Sequence, residues 1–320
     1  MLWYVARRLA GTVGLLVAVV VATFGLMHLA PGDVAQVLAG QSGDPQYLAD
    51  LREQFSLDRS LGYQIGAYLL NVARGDLGFS VVQGQPVLDA IAGRLPATLL
   101  LAGTSLTIAW AGGVLLGVLA ASRPGSRLDA GISIVSLVGY SIPVFWFGQL
   151  LVALLAVRLG WLPAGGMTSA GEQLGAFERV LDVARHLILP SVTLGTLLMA
   201  LVIRTTRAAM LDVLGDDYVM AARGRGIREE TVLLRHALRN ALRPVITVIT
   251  AELGVVLGVM VLVEAVFSWP GLGTLLLDSV LSRDTPTLVG LLLFSSFVVA
   301  AANLLGDLLY MWVDPRVRYT

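Results

Sequence analysis

The chain has 320 residues, of which 56% are hydrophobic and only 14% are charged. Since so few polar side chains cannot cover a soluble globule of this size, the composition indicates a protein embedded in a lipid bilayer. The net charge of zero argues against a nucleic-acid partner. All 22 basic residues are Arg, which excludes the lysine-containing phosphate loop of P-loop ATPases.

Residues that carry chemistry are scarce in this sequence. No cysteine is present, and the three histidines lie far apart, which argues against disulfides, thiolate sites and a His metal cluster. The HExxH and GxSxG motifs are missing, and Ser141 has no His or Lys in another predicted span to activate it. We therefore predict that this chain binds no metal and no cofactor and is not an enzyme.

Six segments contain enough apolar residues to cross a bilayer, which takes about 20 residues of helix. We predict an all-α integral membrane protein with six transmembrane helices at residues 9–30, 95–121, 130–157, 187–203, 244–267 and 285–306. The first segment is alternatively a signal peptide, but its apolar run is long and its end is a poor cleavage site. In the fourth and shortest segment, Leu189 and Pro190 are expected to begin the helix and Arg204 to extend toward the interface.

The distribution of Arg predicts the orientation. Eight Arg residues lie between residues 204 and 243, and others lie before the first span, after the second span and at the C-terminus. Because short cytoplasmic loops are enriched in basic residues, we predict that both termini and the 204–243 segment are cytoplasmic. The chain then divides into a first span (1–30), an outer loop or cap (31–94) and a core transmembrane domain (95–320). Within the cap, Asp44 and Pro45 predict the start of a short helix.

The segment from 204 to 243 is too polar for the membrane and too rich in Ala for a solvated tail. Around Ala221, a short hydrophobic helix of small residues permits another protein to approach closely, and Gly226 permits a sharp exit. A second helix, about 228–242, has apolar residues on one face and Arg on the other and leads into the fifth span. For 228–243 the alternative is an interfacial helix held by anionic lipid, whereas two aspartates oppose this for 216–226.

The run from Asp217 to Gly226, continued from Arg235 to Pro244, resembles the EAA coupling loop of binding-protein-dependent ABC importer permeases. It is most similar to the peptide and nickel branch of that family. Further motifs of this branch follow in the same order at residues 28–33, 57–80, 141–145, 263–273, 303–310 and 314–318. Met220 stands where the wider family has Glu and this branch usually has Arg, so docking is expected to depend on shape and apolar contact.

The resemblance implies the type I importer fold in a bacterial plasma (inner) membrane. Its implied partners are a second homologous permease, two ABC ATPases that use ATP and Mg, and an external substrate-binding protein. The expected function is uptake of dipeptides or oligopeptides, with nickel or another small solute as the alternative. The implied ATPase-docking residues are Tyr218, Met220, Ala221, Ala222, Arg223 and Gly226. From the residues alone, a secondary transporter or channel, and a membrane enzyme or assembly scaffold, are further alternatives.

Polar residues and helix breaks inside the predicted spans are candidates for the translocation path. They are Ser141, Pro143, Glu252 and Glu264. The proline predicts either a break that borders the path or a plain kink. The second glutamate lies near the outer end of the fifth span, where capping of the following turn is the alternative role. Gly254 and Gly258 form a small-residue pair that is expected to face a second permease or to pack within the chain.

Overall fold

The structure is a computed structural model that describes residues 2–29, 34–39, 44–54, 57–80, 82–169, 171 and 175–313. Most of these residues are helical. The elements in chain order are α1 (Leu2–Leu29), α2 (Val34–Ala39), α3 (Pro45–Gln54), α4 (Leu61–Ala73), β1 (Phe79–Ser80), β2 (Gln85–Pro86), α5 (Val87–Ser122), α6 (Arg127–Ser141), α7 (Val144–Leu151, continued as a π-helix over Val152–Arg158), α8 (Ala176–Leu214), α9 (Asp217–Gly224), α10 (Glu229–Thr231, continued as a π-helix over Val232–Ala237), α11 (Leu238–Val266), α12 (Leu272–Ser282) and α13 (Thr285–Val313). β1 and β2 form an antiparallel hairpin.

The predicted helical membrane fold is confirmed, but the number of spans is not. Among the described residues, three helices are long and apolar enough to cross a bilayer, namely Val87–Ser122, Ala176–Leu214 and Thr285–Leu304. α6 and α7 qualify only as a bent pair, and Ala10–Thr23 is a shorter apolar helix. The structure therefore supports three or four spans, and the count of six stays a prediction.

The third predicted span is not one helix. The axes of α6 and α7 differ by 104° across the break between them. Ile142 is extended, with φ −77° and ψ 129°, and Pro143 directly precedes α7. Proline lacks an N–H and disfavours the helical conformation of the residue before it, which ends α6 here. Of the two alternatives for Pro143, a break or a plain kink, the structure therefore shows the break, because the bend is far larger than a plain kink.

The fourth predicted span is the middle of a helix of 39 residues, α8. The Gly175 N–H donates to the Glu178 carboxylate at 3.0 Å, and this contact in the first turn fixes where α8 begins. Pro190 lies inside the helix, so the expectation that Leu189 and Pro190 begin it is wrong. The charged side chains among residues 176–186 lower the hydropathy of this stretch without interrupting the helix. The sequence pattern therefore did not show that the helix begins there.

The described residues group into two compact units, one drawn from Met1–Thr98 and Pro270–Leu304 and the other from Leu99–Trp269 and Leu305–Thr320. In the first unit, the buried Ser80 hydroxyl donates to the buried Asp284 carboxylate at 2.6 Å. The Asp284 carboxylate also accepts the Thr287 hydroxyl at the start of α13. The motif that ends at Ser80 therefore anchors the segment before α5 to α13.

The predicted helix cap at the start of α3 is confirmed. The Gln46 N–H donates to the Asp44 carboxylate at 3.0 Å, and α3 begins at Pro45. An N-cap carboxylate satisfies one of the free N–H groups of the first turn, and proline at the first helical position has none to satisfy.

In the second unit, α8 packs against α6, α7 and α11. It also approaches α5 so closely that a Cβ on Gly113 would lie 2.6 Å from the Val202 side chain. One turn further on, a Cβ on Gly117 would lie 2.6 Å from Thr206. Gly113 and Gly117 thus form a small-residue pair at a close approach of two helices. A Cβ on Gly258 would meet nothing within 4 Å, and the surroundings of Gly254 lie outside the described residues, so a contact of this pair with a second permease stays a prediction.

Candidate ATPase-coupling surface

The predicted short helix in the 204–243 segment is confirmed as α9, eight residues from Asp217 to Gly224. The chain leaves α9 through Gly226, whose φ of +74° is a conformation that side chains with a Cβ rarely adopt. The predicted glycine exit is therefore also confirmed.

One face of α9 packs against its own chain. Val219 and Ala222 are buried, and they contact Val213 and Leu214 near the end of α8 and Val232 beyond the glycine exit. This corrects one predicted docking residue, because Ala222 exposes only 6% of its surface and faces inward. Its small size serves close packing within the chain.

The opposite face of α9 is exposed and is here called the outer face. It consists of Met220, Ala221, Arg223 and Gly224. Met220 exposes 60% of its surface and is the largest apolar group on this face. An unbranched thioether adapts to irregular surfaces, and at this position it presents an apolar group where the family usually has a charged one.

An ion pair holds the chain that returns from Gly226. The Arg223 guanidinium donates to the Glu229 carboxylate at 2.7 Å and 3.2 Å. This hydrogen bonding lowers the pKa of Glu229 and raises that of Arg223. Both side chains are largely exposed, so the pair is worth at most about 1 kcal/mol. The pair joins the segment after Gly226 to α9, the helix that carries the outer face. The sequence analysis did not single out Glu229.

Tyr218 links α9 to the helix that follows. Its hydroxyl accepts a hydrogen bond from the Asn240 side chain at 2.7 Å and donates to the His236 carbonyl at 3.3 Å. Tyr218 was predicted to dock the ATPase, but the structure commits its hydroxyl to contacts within the chain. Asn240 was overlooked as a functional residue, although it belongs to the Arg235–Pro244 motif.

The helix predicted to lead from residue 228 into the fifth span is confirmed. α10, a π-helical segment and α11 follow one another without interruption from Glu229 to Val266. Ala237 and Ala241 are buried against Ala209 and Met210 of α8. Tyr218 and a continuous helix therefore connect α9 to the fifth predicted span.

A second ion pair fixes the end of α8 to the start of α6. Arg207 donates to both Asp129 oxygens at 2.6 Å and 2.8 Å. The Asp129 carboxylate is nearly buried and also accepts the Gly125 N–H. Ser126 caps the same turn by accepting the Asp129 N–H. The loop between the second and third predicted spans is thereby attached to the helix that carries the coupling segment.

Hydrogen bonding between α9 and α11 yields a prediction. Tyr218→Phe keeps the ring and removes both hydrogen bonds of the hydroxyl, which are worth about 0.5–1.5 kcal/mol each. In a reconstituted transporter we expect ATP hydrolysis to continue while substrate uptake per ATP hydrolysed falls roughly two- to five-fold, since the link to α11 is loosened. Tyr63→Phe, which removes an exposed hydroxyl in α4, is the matched control. Equal uptake per ATP in both variants would contradict the link.

The path candidates do not form one site in the described residues. Ser141 and Pro143 line an open hollow of about 540 Å³ at the break between α6 and α7, together with Leu137, Val138, Ile142 and Trp146. The Ser141 hydroxyl donates to the Leu137 carbonyl of its own helix at 2.8 Å. Glu264 is fully buried, so it presents no surface to a path in this chain, and its carbonyl accepts the Trp269 N–H of the turn that follows α11. The side chain of Glu252 lies outside the described residues.

These features define a class of protein. Long apolar helices place the chain in a membrane, and α9 is an exposed short helix that ends at a glycine turn and is linked through Tyr218 to α11. Among the described residues, no group of His, Cys, Asp or Glu side chains is arranged to hold a metal ion. The arrangement is that of an integral membrane protein with an exposed helix that is available for contact with another protein.

Comparison with known families agrees with this class. Residues 113–319 match the family described as binding-protein-dependent transport system inner membrane component. Residues 1–102 match the N-terminal family of the same membrane components. The chain belongs to this family of binding-protein-dependent transport permeases.

Named relatives are similar over the full chain. The oligopeptide transport system permease protein AppB of Bacillus subtilis (strain 168) is 40% identical over 321 residues, which cover 99% of each chain. The di/tripeptide transport system permease protein DppB of Pseudomonas aeruginosa (strain UCBPP-PA14) is 39% identical over 337 residues, covering 100% of this chain and 99% of that one. A structure of the MetNI methionine ABC transporter in an inward-facing conformation has a TM-score of 0.56 at 18% identity, over 70% of this chain and 96% of that one. That structure shows a shared fold.

Proposed function

We propose that the chain is the membrane-spanning permease subunit of an ATP-driven importer of dipeptides or oligopeptides. The names of the relatives support the substrate class, because two of them transport oligopeptides and di- or tripeptides and match over the full chain. The observation that carries the mechanism is the mounting of α9, whose outer face is exposed while Tyr218 connects it to α11.

The proposed complex contains this chain, a second homologous permease, two ABC ATPases that bind ATP and Mg, and an external substrate-binding protein. The outer face of α9 seats in one ATPase through Met220 and Ala221. Closure of the ATPases on ATP displaces α9, and the helix from Glu229 to Val266 converts this displacement into a tilt of the fifth span. This opens the path to the outside, where the binding protein delivers the peptide.

The proposed topology has six spans, cytoplasmic termini and a bacterial inner membrane location. The Arg distribution supports it. Since the chain has no cysteine, Ser60→Cys in the proposed outer cap and Arg225→Cys beyond α9 each introduce a single thiol at an exposed position. A membrane-impermeant maleimide added to intact spheroplasts should label Ser60→Cys and spare Arg225→Cys. Labelling only of Arg225→Cys would contradict this orientation.

Uptake by the complete importer tests the proposed function. Proteoliposomes that contain the two permeases and the two ATPases are supplied with the binding protein, ATP on the ATPase side and a radiolabelled dipeptide. We expect accumulation that requires ATP hydrolysis and that unlabelled dipeptide, but not nickel, abolishes by competition. Accumulation of nickel in place of dipeptide would support the alternative substrate, and dipeptide uptake driven by an ion gradient without ATP would contradict the importer mechanism.

A further inference from the structure

We propose that Arg204, stacked on Tyr140, binds a carboxylate of the transported peptide inside the translocation path. This assignment rests on the function proposed above and adds to it a specific anion-binding group. The Arg204 guanidinium carbon lies 5.6 Å from the centre of the Tyr140 ring.

The direction of the Arg204 side chain is the first step. α6 and α8 run antiparallel, because Asp129 pairs with Arg207 near one end while a Cβ on Gly139 would contact Thr196 further along. Side chains on a helix lean toward its N-terminus, so Arg204 extends back along α8 while Tyr140 leans down α6 to meet it. Arg204 was expected to extend toward the interface, and the structure instead directs it toward the apolar stretch of α8.

The Arg204 charge also lies at a definite depth relative to the hydrocarbon core of the membrane. Residues 187–203 of α8 contain no charged residue, and this length of helix spans about 26 Å. Since the hydrocarbon core is about 30 Å thick, Arg204 begins at the edge of the core and its guanidinium points into it. Ionisable groups at such depth face a protein interior or a water-filled cavity, because lipid cannot solvate them.

The surroundings of Arg204 decide between these environments. Arg204 and Tyr140 are both exposed in this chain, and Tyr140 exposes 53% of its surface. In the described part of the chain no carboxylate pairs with Arg204. Arg204 and Asp212 both border a second open hollow, of about 500 Å³, but Asp212 lies about 12 Å further along α8. Lipid cannot solvate this charge, so the proposal places this face on the water-filled path.

The chemistry of the guanidinium and of its surroundings indicates the class of ligand. A guanidinium recognises carboxylates through paired N–H donors, and a tyrosine ring that covers one face leaves those donors free at the edge. The apolar hollow lined by Ile142, Pro143 and Trp146 opens beside the same end of α6 and accommodates a small apolar side chain. A carboxylate next to an apolar group describes a short peptide that carries an acidic side chain, and the proposal assigns Arg204 to that side-chain carboxylate rather than to the C-terminal one, which every peptide carries.

Charge variants of Arg204 test the assignment in the complete importer, with the same binding protein in every assay. Uptake of Ala-Glu and Ala-Lys is compared for the wild type, Arg204→Gln and Arg204→Lys. Because one ionic contact is lost, we expect Arg204→Gln to lower Ala-Glu uptake roughly ten-fold and Ala-Lys uptake much less, while Arg204→Lys restores most of the ratio. Arg127→Gln removes an exposed charge at the far end of α6 and should leave the ratio unchanged.

The results that would overturn the Arg204 assignment differ from the result that would overturn the proposed function. Assembly of Arg204→Gln with both ATPases and the second permease, followed by an unchanged Ala-Glu to Ala-Lys ratio, would overturn the assignment. Failure of that variant to bind the second permease would also overturn it, because the face would then be a subunit interface. If the wild-type importer moves neither peptide, it is the proposed function that fails, and the wild-type measurement alone reveals this.

Discussion

Gly226→Val is expected to abolish ATP-driven uptake while the chain still folds. Gly226 has a φ of +74°, and a β-branched residue held in this region costs about 1–3 kcal/mol. A Cβ at this position would meet nothing within 4 Å, so the damage is conformational and not steric. The chain escapes the strain by changing the turn, which pulls Glu229 away from Arg223 and tilts α9. Substrate uptake in proteoliposomes should fall by more than roughly ten-fold.

The matched control is Gly224→Ala. Gly224 is the last residue of α9, and a Cβ there would also meet nothing within 4 Å. Alanine suits a helical position, so uptake should stay within about two-fold of the wild type, provided that an ATPase accommodates one added methyl group. Normal uptake by Gly226→Val would contradict the role of the turn. Equal loss in both variants would indicate that the partner contacts this end of α9 directly.

Gly117→Leu is expected to have the largest effect on stability. A Cβ on Gly117 would lie 2.6 Å from the Thr206 Cβ and 3.0 Å from the Ile203 carbonyl oxygen, so a larger side chain must separate α5 from α8. Overpacking of this kind costs about 1–3 kcal/mol. Thermal unfolding of the purified chain in detergent should show a Tm lower by several degrees, at roughly 2–4 °C per kcal/mol.

Gly103→Leu is the corresponding control on the same helix. Gly103 is exposed, and a Cβ on it would meet nothing within 4 Å. Leucine also forms helix better than glycine, so the Tm should be unchanged or slightly higher. If Gly117→Leu and Gly103→Leu unfold at the same temperature, the close approach of α5 and α8 does not limit stability.

Local rules of the sequence predicted the coupling segment well. Small residues, two aspartates and a following glycine sufficed to predict α9 and its exit at Gly226. They did not reveal which face of α9 is buried, because Val219 and Ala222 find their partners in α8 and beyond the turn. A docking list taken from the motif alone therefore included Ala222 and missed the role of Tyr218 within the chain.

The structural roles of the prolines and glycines could be assigned only from the tertiary structure. Pro143 ends a helix with a bend of 104°, whereas Pro190 lies inside α8 without ending it. Both prolines lack an N–H, and only the capping contact at Gly175 shows where α8 begins. Likewise, Gly113 and Gly117 have the same spacing as Gly254 and Gly258. The partner helix, which the sequence does not identify, shows that the first pair is a site of close packing.

The central claim is that the outer face of α9 contacts an ATPase, and crosslinking tests it most directly. Met220→Cys places the only thiol of the chain on the exposed face, and Val219→Cys places it on the buried face. Each variant is assembled with the other importer subunits, with ATPases stripped of reactive surface cysteines except one near the proposed contact, and treated with a short bis-maleimide. We expect Met220→Cys to give an adduct with the ATPase and Val219→Cys to give little or none. No ATPase adduct from Met220→Cys in an assembled, active importer would contradict the account.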